Sequence, residues 1–150
     1  MSARIIITAD YHANASDVFR SALDFDELKK AMEGLATYEI VSGDESPARE
    51  GQTLISNVTL FGFMKTKNYA MHIERLDHDR LVLQSREHGG AIKQWDHRLS
   101  VTQIGEIARW TDDITIDAGL LTFGAARFGT YVYSYRHKKR SALTITTEIK

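Results

Sequence analysis

Apolar and polar positions change their period along this chain, and each change marks an element. Residues 4–11 (Arg-Ile-Ile-Ile-Thr-Ala-Asp-Tyr) are β-branched and aromatic and predict a strand. Asn14 or Ser16 then offers a helix cap, with Asp17 at the positive end of the helix dipole. Val18, Phe19, Ala22 and Leu23 recur at helical spacing over 15–23. Asp24 or Asp26 caps a second short helix with Leu28, Ala31 and Met32 as its apolar face, and Gly34 ends it.

Beyond Gly34 the period shortens to that of strands. Residues 35–42 and 52–61 predict strands on either side of the turn-rich Gly43-Asp44-Glu45-Ser46-Pro47. Residues 65–76 alternate with Tyr69, Met71 and Ile73 on one face, and Asp77-His78-Asp79 predicts a turn. A strand over 80–88 precedes a reversal at Gly89-Gly90. Residues 92–102 set Trp95, His97, Leu99 and Val101 on one face. After a turn at Gly105, residues 106–117 do the same with Ala108, Trp110, Ile114 and Ile116. Short connections require antiparallel neighbours.

Residues 120–140 carry both periods. Leu121, Ala125, Phe128, Val132 and Tyr135 form a helical stripe, while Tyr131 to Tyr135 also alternates. The longer window and the basic end Arg136-His137-Lys138-Lys139-Arg140 favour a helix. Residues 141–150 lean extended, as an extra strand or a tail. The expected class is α+β: an antiparallel sheet of about seven strands, two short helices after the first strand, and a long C-terminal helix covering the apolar face.

Composition narrows the function classes. The 150 residues hold a single proline and no linker-like stretch or repeat, so one domain over 1–150 is expected. Lys and Arg number 19 against 20 Asp and Glu, a balance that argues against nucleic acid as the main partner. The absence of Cys excludes disulfides, thiolate metal sites and a cysteine nucleophile. With no basic leader and no long apolar run, the expectation is a cytoplasmic domain with no integral membrane association. The six His show no metal-ligand spacing, and nucleophile-elbow, P-loop and dinucleotide fingerprints are missing; no metal or cofactor is expected.

The element order, with Ala13-Asn14-Ala15-Ser16-Asp17-Val18-Phe19 after the first strand, resembles the START-like superfamily of polyketide cyclases and lipid-transport proteins, which includes the birch-pollen allergen fold. Glu50-Gly51-Gln52 before a strand and Asp117-Ala118-Gly119 before the last helix are also similar, and the resemblance covers residues 3–140. It implies a helix-grip fold, with a curved sheet wrapped around the C-terminal helix and a cavity between them that binds a hydrophobic or aromatic small molecule. Residues 141–150 depart from the simplest pattern and point to a partner contact such as a homodimer.

A short turn at Ile104-Gly105 sets Leu99 opposite Trp110, Trp95 opposite Ile114 and His97 opposite Asp112, all on the apolar face. His97 and Asp112 then form a structural pair, a polar ligand contact, or the acid–base residues of a cyclase or dehydratase. Tyr69, Met71, Trp95 and Trp110 line the same face, and with His97, Asp112, Phe123 and Phe128 they are the candidate ligand contacts. Asp112 and Asp113 point to opposite faces and form no dyad. Gly124 and Gly129 weaken a helix, which calls for close approach to the sheet or room for a ligand. The basic run 136–140 is either a solvated helix end or a contact for an anionic group. Competing with ligand binding is an interaction protein whose cavity has collapsed.

Overall fold

A computed structural model describes residues 1–44 and 46–150. The predicted turn at 43–47 therefore includes one residue, Glu45, outside the described residues. Strand β1 (Ala3–Tyr11) buries Ile5, Ile7 and Ala9 on one side. Helices α1 (Ala15–Ala22) and α2 (Phe25–Ala31) follow. The Asn14 side chain accepts from the backbone of Ser16, and that of Asp24 from the backbone of Asp26, so the first candidate cap of each pair is the one used.

The middle of the chain is a meander: β2 (Ala36–Ser42), β3 (Thr53–Leu60), β4 (Met64–Asp77), β5 (Val82–Gly89), β6 (Ile92–Ile104) and β7 (Ile107–Asp117). The Asp77 carboxylate accepts from the backbone of Asp79 and Arg80 and closes the predicted turn there. The chain then enters α3 (Thr122–Lys139) and ends in β8 (Thr144–Ile149). All eight strands are antiparallel in the order β2-β3-β4-β5-β6-β7-β1-β8. The sheet thus has one strand more than expected, because 144–149 pairs along β1 and takes up the unsatisfied backbone groups of that strand. Register shifts at Ile40/Ser42, Ser56/Val58, Ile73/Arg75 and Glu87/Gly89 interrupt the ladders; such irregularities bend a sheet.

Two sequence expectations need correction. Gly105-Glu106 forms the two-residue turn between β6 and β7, since Ile104 pairs with Ile107. The register is therefore two residues away from the expected one: Leu99 lies opposite Asp112, Val101 opposite Trp110, His97 opposite Ile114 and Trp95 opposite Ile116. A shift of two preserves the face, so these side chains still point inward together. The second correction concerns α3. Its fully buried stripe is Thr122, Ala126, Gly129, Val132, Tyr133 and His137; Ala125, Phe128 and Tyr135 of the expected stripe pack partly buried beside it, and Leu121 is exposed. The helix is rotated from the most apolar line, and the Tyr135 hydroxyl instead donates to the Glu33 carbonyl beyond α2.

Close approach explains one of the two helix glycines. A Cβ on Gly129 would lie 2.7 Å from Trp95 Cη2 and 3.0 Å from Ile5 Cδ1, so only glycine lets α3 settle on β1 and β6 there. Gly124 has open space around it. Replacing Gly129 by Val is expected to lower stability by about 1–3 kcal/mol through overpacking. Gly124→Ala is expected to raise it by about 0.5–1 kcal/mol through helix propensity. Urea unfolding of both variants checks the pair of opposite signs.

Candidate functional site

The inward faces of β5, β6 and β7 mix apolar and polar side chains. On β7, Trp110, Asp112, Ile114 and Ile116 point in, while Asp113 points out and receives two hydrogen bonds from Arg4. Asp112 is 1 % exposed. His97 is its diagonal neighbour across the ladder, and its Nε2 reaches Asp112 Oδ1 at 2.7 Å. Trp110 Nε1 donates to the same oxygen at 2.8 Å, and His137 Nε2, from α3, meets Oδ2 at 2.8 Å.

An ionised Asp112 accepts only, so both imidazoles carry their proton on Nε2. Each Nδ1 then faces a tyrosine hydroxyl: Tyr11 at 2.6 Å for His137, Tyr133 at a longer 3.4 Å for His97. Burial by itself would push the Asp112 carboxyl up. The hydrogen bonds from His137 and His97, with their charge interactions, outweigh burial and hold it far below the usual carboxylate range. This cluster ties β1, β6, β7 and α3 together.

Beside it lies a second buried carboxylate, Glu87 on β5, which accepts from Ser85 Oγ at 3.0 Å and Tyr69 Oη at 2.9 Å. Burial, and the charge of Glu87, push the Tyr69 hydroxyl well up. Burial is also the main cause that raises Tyr133. Both therefore remain neutral donors at ordinary pH.

These groups border a cavity of about 100 Å³ under the C-terminal half of α3. Leu23, Leu54, Met71, Ile73, Leu83 and Leu99 supply apolar wall, and Ser85, Glu87, His97, Asp112, Tyr133 and Arg136 the polar part. One end reaches the surface between the start of α2 and the segment joining β2 to β3, at the exposed Asp24 and Asp44. Trp110 and Arg140 border this cavity and also a second hollow of about 330 Å³ that reaches Tyr11, Val18, Glu27 and Lys139. Arg140 forms part of that common wall, its guanidinium 4.6 Å over the Trp110 ring and bonded twice to Glu27.

Of the sequence candidates, Met71, His97, Trp110 and Asp112 line the first cavity. Tyr69 is connected to it through Glu87. Trp95 packs in the core against Tyr133 and Gly129, Phe128 meets Phe61 edge-on, and Phe123 is exposed; none of the three borders the cavity. Sequence reasoning missed Ser85, Glu87 and Tyr133, and it took Arg136 and His137 only as members of the basic run 136–140, a solvated helix end or a contact for an anionic group. The first two could have been found, since Leu83, Ser85 and Glu87 share a face at period two. Among the described residues no group of three or more His, Asp or Glu is disposed to hold a metal ion, and no helix is long and apolar enough to cross a membrane.

Asp112→Asn is expected to cost about 3–5 kcal/mol, because donors arranged for an anion lose it in the interior. The lowered folded-state pKa means that the Asp112 contribution is full above the unfolded carboxyl value of about 4 and is lost as pH falls below it. Urea unfolding at a series of pH values should show a stability decline on acidification that is shallower in Asp112→Asn than in the parent.

No protein-family model matches the sequence, and no curated protein matches it significantly. Solved structures do match. Protein Ms6760 from Mycobacterium smegmatis aligns with a TM-score of 0.70 at 16 % identity, over 91 % of this chain and 86 % of that one. TTHA0849 from Thermus thermophilus gives 0.66 at 17 % identity, over 91 % and 95 %. Ara h 8.0201 gives 0.65 at 9 % identity, over 92 % and 97 %. With an antiparallel sheet, two short helices after β1 and a long C-terminal helix laid on the sheet, the chain shares its fold, of helix-grip type, with these proteins.

Proposed function

We propose that this protein binds a small, largely apolar molecule in the cavity beneath α3. The observation that carries the reading is the cavity itself, with apolar walls and a few polar side chains converging on it from β5, β6, β7 and α3. Resemblance to the START-like proteins supports the same reading, since most of that superfamily is expected to hold hydrophobic ligands at this position.

Volume constrains the ligand. A hollow of about 100 Å³ is below the 150 Å³ or so that holds a benzene-sized ring in a protein core. It is well below the range of about 300–1,000 Å³ usual for drug-sized ligands. A compact ring therefore suits it with slight adjustment of the walls, whereas a lipid chain or fused polyketide would require the cavity to grow several-fold. The second hollow beyond Trp110 and Arg140 gives one direction for such growth, by opening the Glu27–Arg140 pair.

The test uses the full chain. Native mass spectrometry of freshly purified protein should show a co-purifying small molecule, and toluene should raise the melting temperature. Ala48 is half-buried in the cavity wall near its surface end. Ala48→Phe should stay folded by circular dichroism and abolish the toluene shift. An unligated mass together with no toluene shift in the parent protein would overturn the reading.

A further inference from the structure

Of the two arginines on the cavity wall, Arg136 is the one without a carboxylate partner among the described residues. It reaches the cavity from α3 one helical turn before Arg140, and the two are served very differently. Arg140 is closed by two hydrogen bonds to Glu27 at 2.8 and 3.0 Å. The Arg136 guanidinium lies 4.4 Å over the Tyr133 ring, its Nε donates to the Met32 thioether at 3.1 Å, a weak acceptor for a cation, and its remaining side-chain partner is the neutral hydroxyl of Tyr38. Among the described residues no carboxylate comes within ion-pair distance of it.

Carboxylates of the protein are nearby but engaged elsewhere. Glu87 is held by Ser85 and Tyr69, and Asp112 by Trp110 and two histidines. Burial opposes the charge of Arg136, but the charge interactions with Tyr133, Tyr38, Glu87 and Asp112 outweigh it and keep the guanidinium protonated. Neither carboxylate is close enough to occupy the planar fork of the guanidinium. Such a fork matches the two oxygens of a carboxylate, and it is worth most where water is scarce.

We propose that the ligand is a ring-sized carboxylate whose ring lies against the apolar wall and whose carboxylate is bound by Arg136. This inference deepens the cavity reading above and rests on it. Tyr133, kept neutral and only loosely held by His97 at 3.4 Å, stands beside the guanidinium as a further donor. The recognition is of charge and shape together: an uncharged analogue of the same ring forgoes the fork, and an amine meets a cation.

Isothermal titration with toluene, benzoate, benzamide and benzylamine tests this on the full chain. Benzoate is expected to bind about tenfold or more tighter than benzamide or benzylamine. Arg136→Met should weaken benzoate by about tenfold or more relative to toluene. Arg136→Lys, which keeps the charge but not the fork, should fall between and serves if the Met variant does not fold. Benzamide or benzylamine binding as well as benzoate, or either Arg136 variant binding benzoate as the parent does, overturns the proposal. If toluene binds and benzoate does not, the cavity reading stands and the carboxylate falls. If none of the four probes binds, both fall.

Discussion

The architecture turns on one carboxylate placed where carboxylates are expensive. Asp112 sits on an inward position of β7 among isoleucines and tryptophan, and an unpaired charge there would cost several kcal/mol. Its position is tenable because Trp110, His97 and His137 converge on its two oxygens. One of those donors belongs to α3, and Tyr11 extends the cluster to the end of β1. The carboxylate therefore fixes the azimuth of α3 as well as its distance from the sheet. Rotating the helix to bury Leu121 would withdraw His137 from Asp112.

Two kinds of contact follow one another along α3. Near its middle, Gly129 lets Trp95 and Ile5 approach directly, and nothing fits between helix and sheet. Further on, Tyr133, Arg136 and Arg140 are long side chains with polar ends, and they hold the helix over a hollow instead of sealing it. The cavity lies under the C-terminal half of α3 because the packing style changes there. Chains at 9 % and 16 % identity keep the same architecture. The side chains at this end, not the fold, therefore give this cavity its own chemical character.

A good part of the fold was legible because it rests on local periodicity. Period-two runs gave the strands, Asn14 and Asp24 the helix caps, and the inward parity of His97 and Asp112 survived a register error because a shift of two keeps every side chain on its face. The opposed directions of Asp112 and Asp113 followed from the same rule. Within the site, Met71, Trp110, His97 and Asp112 were legible as inward strand positions. Phe123 is exposed at the start of α3, since apolar character says nothing about which side of a helix end faces water.

By itself the sequence determined the element order, the faces of the strands and the presence of a long covering helix, since each depends on neighbours a few residues apart. Only the tertiary structure decided which stripe of α3 is buried, that 144–149 joins the sheet beside β1, and that His97, Asp112 and His137 meet. Hydropathy ranks residues by their transfer from water one at a time. A buried histidine, a glycine under a tryptophan and an arginine over a tyrosine are favourable through partners far away in the chain, so no local pattern announces them.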